Sequence, residues 1–221
     1  MTPAEKAKIY LTEVAIMSSQ PAKGNGREVW QHLLEGNQRF VQGMPLGRNL
    51  QELRQTLVQG QKPKAAVLCC SDSRVAPEII FDQTLGDLFV VRTAGLVLDP
   101  TSLGSLEYAV DHLGVPLLIL LGHEKCGAVT GAVLHPQGAP GHIAAIVEQL
   151  TPAVGQARLS GKNGPELVEA AAEEFLYQLK DSLPRQSAII SQALREGRLP
   201  LVVAKYHLSD GCVDALYTSF A

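Results

Sequence analysis

The sequence predicts an α/β fold: a mainly parallel sheet of four strands with an added edge strand, flanking helices and an N-terminal helical arm. Three short apolar runs carry this prediction, at residues 65–68, 87–91 and 117–121. The runs are followed by Cys69, Arg92 and Gly122, and short apolar runs of this kind are typical of strands buried on both faces of a parallel sheet. Segments of helical period separate the runs.

The first part of the chain predicts the helical arm, residues 1–48, ahead of an α/β domain, residues 49–221. A threonine cap, a proline and a glutamate form a start signal for a helix over residues 2–18. Glycine and proline in residues 18–26 indicate a linker, and a second helix follows over residues 28–41. We expect the arm to pack on a partner subunit, giving a homodimer or a dimer of dimers; the alternative is an arm folded back on its own core.

The later elements follow from the same kinds of signal. The helical segments have apolar residues three or four positions apart, and one has a proline near its start. Asp210 and Gly211 form a hairpin signal, which predicts that the last strand pairs with its predecessor at the sheet edge. Helices are predicted at residues 50–59, 105–113, 127–134, 143–150, 165–179 and 185–196, and further strands at 201–206 and 212–216.

Composition limits the classes of function. The chain has 221 residues, 46% of them hydrophobic, which is enough for one substantial core. The net charge of −3 gives no basic footprint for nucleic acid, and no apolar run approaches the roughly 18 residues of a membrane span. Glu5, Lys6, Lys8 and Glu13 interrupt any signal-peptide core, so we expect a cytoplasmic protein unless a signal has already been removed.

Polar side chains with metal-binding capacity follow two of the apolar runs. Cys70 and Asp72 come after the first run, and His123 and Cys126 come after the third. If these two strands are parallel and adjacent, all four side chains lie at the carboxyl edge of one sheet, where open α/β sheets bind their ligands. Alternation along an extended chain places Cys70 and Asp72 on one face and Cys69 on the other.

These donors predict a zinc site. Two thiolates and one imidazole suit tetrahedral zinc, and three ligands rather than four favour a catalytic site with one position left over. That position holds either water or Asp72. The spacing of three residues predicts that His123 and Cys126 share one side of a helix's first turn. Four cysteines are too few and too scattered for a disulfide scaffold, so we expect Cys69 and Cys212 to be buried.

Arg74 can decide whether water or Asp72 occupies the fourth coordination position of the metal. Asp72 either coordinates the metal and closes the site, or pairs with the forked guanidinium of Arg74 and leaves the metal open. In the open state its carboxylate can orient zinc-bound hydroxide. We hypothesise a pH-dependent exchange, with Asp72 on zinc at low pH and on Arg74 at higher pH. The alternative is a strand-end ion pair that has no chemical role.

Together, the two clusters resemble the paired signature of the β-class carbonic anhydrases, and segments 81–83 and 92–95 are most similar to the bacterial members of that family. The signature is the segment 70–74, Cys-Ser-Asp-Ser-Arg, followed by His123, Cys126 and Gly127. The resemblance implies one Zn²⁺ per subunit on Cys70, His123 and Cys126, with Asp72 and Arg74 as the catalytic pair. It also implies that Gln61 helps to hold substrate, within one chain or across a dimer interface. The implied reaction is the reversible hydration of carbon dioxide to bicarbonate and a proton.

Two other functions are open at this point. Relatives on this fold hydrolyse carbonyl sulfide or carbon disulfide with the same metal, which would require a reshaped and more apolar channel. A non-catalytic zinc or redox module, in which Cys69 and Cys70 cycle between thiol and disulfide, belongs to a different class. Such a module predicts no hydration activity and no effect of Asp72→Asn.

Overall fold

A five-stranded sheet organises residues 25–220, the part of the chain that the computed structural model describes. The strands lie side by side in the order β2-β1-β3-β4-β5. The first four run parallel, and β5 pairs antiparallel with β4 at one edge, as predicted. The strands are β1 (Ala65–Cys70), β2 (Leu88–Thr93), β3 (Leu118–His123), β4 (Leu201–Tyr206) and β5 (Val213–Thr218).

The strand order contains a switch point between β1 and β3. From β1 the chain moves to β2 on one side and then crosses to β3 on the other side. Connections that leave two neighbouring parallel strands in opposite directions open a crevice at their carboxyl ends. Cys70 is the last residue of β1 and His123 is the last residue of β3, so both border this crevice.

Helices cover both faces of the sheet. Helices α1 and α3 pack on one face, and α4 to α8 pack on the other. Alternate residues of β1 enter the two cores: Cys69 packs on the side of α1, and Cys70 packs on the opposite side. The helices are α1 (Gly26–Val41), α2 (Leu50–Thr56), α3 (Pro77–Ile80), α4 (Pro100–Asp111), α5 (Gly127–Leu134), α6 (Ile143–Arg158), α7 (Gly164–Gln186) and α8 (Ala188–Arg195).

Helix α1 packs on its own chain. Trp30 and Leu33 are buried, and the Trp30 ring meets Phe81 edge-on with 6.0 Å between ring centroids. The Asn37 side chain donates to Gly211 O at 2.8 Å and accepts from Val213 N–H at 3.0 Å, which ties the helix to the β4–β5 connection. The helix predicted over residues 2–18 lies outside the described residues. The division at residue 48 and the contact of the arm with a partner remain predictions.

Two helices extend beyond their predicted ends. The prediction ended the first at residue 150, but α6 continues through Pro152 to Arg158 because Ala153, Val154 and Ala157 are buried. Packing of this apolar face outweighs the one helical hydrogen bond that a proline removes. Throughout the segments that the structure describes, no helix combines the length and apolarity that a membrane crossing requires.

Candidate metal centre

Three donor atoms from two strands and a helix start converge at the switch point. Cys70 ends β1, His123 ends β3, and Cys126 is the N-cap of α5. Their ligand atoms all lie within 4.8 Å of one another, and all three residues are buried. The two sulfurs are 4.0 Å apart. Two thiolates on one tetrahedral zinc ion, at about 2.3 Å each, are separated by roughly 3.8 Å. The predicted donor set therefore fits zinc.

Of the two ring nitrogens of His123, one has a hydrogen-bond partner among the described residues and the other has none. Its Nδ1 lies 2.7 Å from the carbonyl oxygen of Glu124. A carbonyl only accepts, so Nδ1 carries the proton and the lone pair is on Nε2. Nε2 is buried and has no hydrogen-bond partner among residues 25–220. A buried, unpartnered acceptor is costly unless a metal occupies it, and metal-bound histidines commonly donate their other nitrogen in this way.

The two vicinal thiols differ in ionisation. Cys70 Sγ accepts a hydrogen bond from Gly95 N–H at 3.3 Å. A hydrogen bond from Cys126 lowers the pKa of Cys70 to about 4, against the opposing effect of burial. On the other face of the sheet, burial raises the pKa of Cys69 to about 12. Cys70 alone of this pair is therefore prepared as a thiolate. The redox interpretation is disfavoured by geometry instead, because strand alternation directs the two thiols to opposite faces of the sheet, away from each other.

Cys126 holds the proton in the metal-free pair. Its hydrogen bond to Cys70 and its burial raise the pKa of its thiol, while the amides of Ala128 and Val129 in the first turn of α5 act in the opposite direction. A divalent cation bound by both sulfurs would take the place of this proton, because the thiolate is the ligand form. The helix start then provides favourable dipoles for the second thiolate.

Asp72 is paired with Arg74 in this structure. Arg74 Nε donates to Asp72 Oδ1 at 2.9 Å, and Nη2 donates to Oδ2 at 2.7 Å. These bonds hold the pKa of Asp72 well below its usual range. Asp72 Oδ2 lies 4.0 Å from His123 Nε2, and Asp72 is not a member of the three-residue donor cluster. Of the two predicted states, the structure has the one paired with Arg74, and the exchange with pH remains a prediction.

Arg92 holds the segment that joins Cys70 to Asp72. Its Nε donates to Cys70 O at 3.2 Å, and its Nη2 donates to Asp72 O at 2.8 Å. This arginine lies in β2, one residue before the end of the strand, and therefore reaches the crevice edge, where it bonds backbone carbonyls and none of the three ligand atoms. The backbone that carries one ligand and the neighbouring carboxylate is thus held in place by a third strand.

The prediction that His123 and Cys126 share a helix's first turn is wrong. His123 ends β3, α5 begins only at Gly127, and Lys125 between them has φ of +51°. A non-glycine residue in the left-handed region costs about 1–2 kcal/mol. Glu169 Oε1 accepts a hydrogen bond from Lys125 N–H at 2.8 Å, which stabilises this turn. The sequence analysis did not predict the contact, because 44 residues separate its partners.

Gln61 lies away from the metal centre of its own chain. It precedes the amino end of β1, whereas Cys70 ends the same strand at the opposite edge. A six-residue strand spans roughly 17 Å between its end residues. Gln61 is exposed and lines an open surface groove with Leu57 and Leu85. Cys212, predicted to be buried, is partly exposed.

The fold and the donors define a class: an α/β protein with a buried, three-ligand zinc centre at its switch point, the ligand count of a catalytic site. A family model described as carbonic anhydrase matches residues 65–213. A carbonic anhydrase from Mycolicibacterium smegmatis is 45% identical over 189 residues, covering 84% of this chain and 90% of that protein. The chain belongs to the carbonic anhydrase family.

Solved structures confirm the β class and the fold. The beta-carbonic anhydrase CcaA superposes with a TM-score of 0.68 at 31% identity, covering 84% of this chain and 86% of that one. A structure of tetrameric beta-carbonic anhydrases from Sordaria macrospora gives a TM-score of 0.69 at 25% identity, with coverages of 77% and 89%. The predicted lyase activity, hydration of carbon dioxide with zinc as cofactor, is confirmed at the level of the family.

Proposed function

We propose that this chain hydrates carbon dioxide at a zinc ion held by Cys70, His123 and Cys126, with Asp72 as the catalytic group and Arg74 as its positioning residue. The observation that carries the proposal is the buried Nε2 of His123, which has no hydrogen-bond partner among the described residues and lies beside two thiols. Asp72 lies next to this cluster and is held by another partner. The fourth position is therefore left to solvent rather than to a protein ligand.

Zinc, when bound, supplies a Lewis acid that lowers the pKa of coordinated solvent. Asp72 stays ionised, so it accepts a hydrogen bond from the reacting solvent and sets the direction of its lone pair. The two side-chain bonds from Arg74 fix the plane of the Asp72 carboxylate and keep it from turning onto the metal. Arg92 fixes the backbone beneath the same carboxylate.

The test is stopped-flow hydration of carbon dioxide by the zinc-loaded protein, beside Asp72→Asn and Arg74→Ala. The proposal expects rapid hydration by the native chain and a large loss in both variants. Sulfide release from carbonyl sulfide or carbon disulfide, measured in parallel, separates the hydrolase alternative. Faster sulfide release than hydration, or native hydration in Asp72→Asn, would contradict the proposal.

We propose that Gln61 assists the metal centre of a second subunit. Because it is exposed at the far end of β1, it can assist a metal centre only if another copy of the chain brings it there. The residue 1–48 arm is our candidate for the element that holds the two copies together, and the tetrameric Sordaria macrospora enzymes support oligomerisation. The assembly proposed is a homodimer or a dimer of dimers.

Subunit mixing tests this arrangement. Gln61→Ala and Asp72→Asn are each expected to be poorly active alone. In a mixed dimer, the intact metal centre of the first variant meets the intact Gln61 of the second. Random re-pairing then restores about a quarter of the sites if Gln61 acts across the interface. No recovery would show that Gln61 does not act in this way.

We also propose a cytoplasmic location. All four cysteines of the chain are free, which agrees with a reducing compartment. Fractionation of the source cells, with detection of the native protein, tests the location. Recovery in an exported fraction would contradict it.

A further inference from the structure

The turn between β3 and α5 joins the ligands His123 and Cys126, and one peptide group in it contacts both the ligand ring and helix α7. The peptide that joins Glu124 to Lys125 has its carbonyl oxygen on His123 Nδ1, at 2.7 Å. The N–H of the same peptide donates to Glu169 Oε1, at 2.8 Å. A peptide group is planar and rigid, so fixing its N–H also fixes the direction of its carbonyl. Glu169 thus controls the group that orients the metal-ligating ring.

We infer that Glu169 is a positioning residue for the zinc site, acting through the Glu124–Lys125 peptide on His123. This inference rests on the proposed zinc ligands and adds a residue from helix α7 to them. A carboxylate that accepts from the N–H polarises the peptide and makes its carbonyl a stronger acceptor. The imidazole that donates to this carbonyl becomes a more basic ligand, as in carboxylate–histidine pairs of metal sites.

A buried ammonium holds Glu169 in place. Glu169 Oε2 lies 2.8 Å from Lys205 Nζ, and Lys205 is only 7% exposed. Lys205 comes from β4, where its register partner is Gly122, the residue before the histidine ligand. The carboxylate therefore bridges the strand beside the ligand and the turn that follows it. It cannot rotate away from Lys125 without weakening its pairing with Lys205.

The backbone of Lys125 is left-handed, with φ of +51°, and its N–H donates to Glu169 of α7 rather than to a residue of the turn. The Lys125 side chain is exposed. What the turn requires from this residue is its backbone conformation, and the contact that stabilises this conformation comes from outside the turn.

Glu173 provides a matched control. It lies one helical turn after Glu169 on α7 and pairs with the same ammonium, Lys205 Nζ, at 2.9 Å. Its hydrogen bond within the described residues goes to Lys205 and not to the turn. Removing either glutamate leaves Lys205 with one carboxylate partner, so the charge balance changes equally. Only the loss of Glu169 leaves the Lys125 N–H without its acceptor.

The experiment compares Glu169→Ala, Glu169→Gln and Glu173→Ala with the native protein. Zinc release to a chromophoric chelator is timed, and the visible spectrum of each cobalt(II)-substituted protein is recorded. We expect Glu169→Ala to release zinc about 10-fold faster and to shift the cobalt bands. Glu173→Ala should stay within about twofold of the native rate with an unchanged spectrum. Glu169→Gln should fall between them, because its amide oxygen still accepts from Lys125 N–H.

Equal release rates in Glu169→Ala and the native protein would overturn the inference, as would equal acceleration in Glu169→Ala and Glu173→Ala. If Glu169→Ala does not fold, Glu169→Gln and Glu173→Gln carry the same comparison, and an equal response of the two would again overturn it. Failure of the proposed function is distinct from these outcomes. If the proposed function is wrong, the native protein holds no zinc. If only the inference about Glu169 is wrong, the native protein still binds zinc.

Discussion

Gly95→Ala tests how closely the backbone after β2 is fitted to the metal centre. Gly95 has φ of +68°, and its N–H donates to Cys70 Sγ at 3.3 Å. A Cβ built at this position would lie 2.9 Å from Ala128 Cβ and 3.2 Å from Leu150 Cδ1. Ala128 belongs to α5 and lies two residues after Cys126. The added methyl group therefore strains the turn whose N–H donates to Cys70 and pushes against the helix that follows Cys126.

The cost follows from two separate effects. Alanine in the left-handed region loses about 1 kcal/mol relative to glycine. Overpacking a close contact in a filled core adds about 1–3 kcal/mol. We therefore expect the free energy of unfolding to fall by about 2–4 kcal/mol, which for a chain of this size lowers the melting temperature by roughly 10 °C. Zinc release should also accelerate, because the shifted amide no longer donates to Cys70.

Thermal unfolding of the zinc-loaded protein and of a chelator-treated sample measures both effects. Gly104→Ala is the control, because Gly104 lies within α4 and a Cβ there meets nothing within 4 Å. Removing a glycine from a helix interior should raise the free energy of unfolding by about 0.5–1 kcal/mol. Native-like stability in Gly95→Ala, or an equal loss in Gly104→Ala, would refute the reasoning.

Three further predictions concern the reactive groups. Asp72→Asn should lower kcat for hydration by at least about 100-fold with zinc content unchanged, and native kcat would contradict the role of Asp72. Because Arg74 holds the pKa of Asp72 below its usual value, the stability that this carboxylate contributes is present above about pH 4 and is lost as the pH falls further. Urea unfolding should therefore show that the difference in free energy of unfolding between the native protein and Asp72→Asn shrinks only below about pH 4. In the zinc-free protein at pH 6, iodoacetamide should label Cys70 and spare Cys69, since their pKa values are about 4 and about 12; peptide mapping that finds Cys69 labelled first would contradict this.

The hypothesis of a pH-dependent exchange at Asp72 has its own test. Crystals of the zinc-loaded protein grown from acidic to alkaline pH should show the distance from Asp72 to zinc lengthen. Since Asp72 stays ionised over this range, the exchange must come from competition with solvent for the metal rather than from protonation of the carboxylate. A constant distance at all pH values would refute the exchange.

The donors and their faces could be predicted from sequence because each depends on local order. Strand alternation places Cys69 and Cys70 on opposite faces, and the structure confirms this. Two parallel neighbouring strands bring Cys70 and His123 to one edge. These relations need only the period of a strand and the rule that ligands bind at the carboxyl edge of open parallel sheets.

The turn after His123 could not be predicted in this way. A spacing of three residues fits a helical turn equally well, and nothing in residues 123–126 signals that Lys125 is left-handed. The contacts that stabilise this conformation come from Glu169, which is distant in sequence. Tertiary contacts of this kind override local preference, so a motif identifies the ligands but not the backbone that presents them.

Predicted helix ends were wrong for a related reason. The prediction ended one helix at residue 179, yet α7 continues to Gln186. Leu183 is fully buried, so packing extends the helix by almost two turns. Pro184 lies inside the last turn, where little helix remains for it to disrupt. Burial on a neighbouring helix is not visible in a single segment.

Zinc K-edge X-ray absorption of the native protein tests the central claim most directly. The account predicts one zinc per subunit with two sulfurs at about 2.3 Å and one imidazole nitrogen at about 2.0–2.1 Å, the remaining ligand being a light atom. His123→Ala should lose the imidazole scattering and keep both sulfurs. A protein that holds no zinc, or a spectrum with three or four sulfurs, would contradict the account.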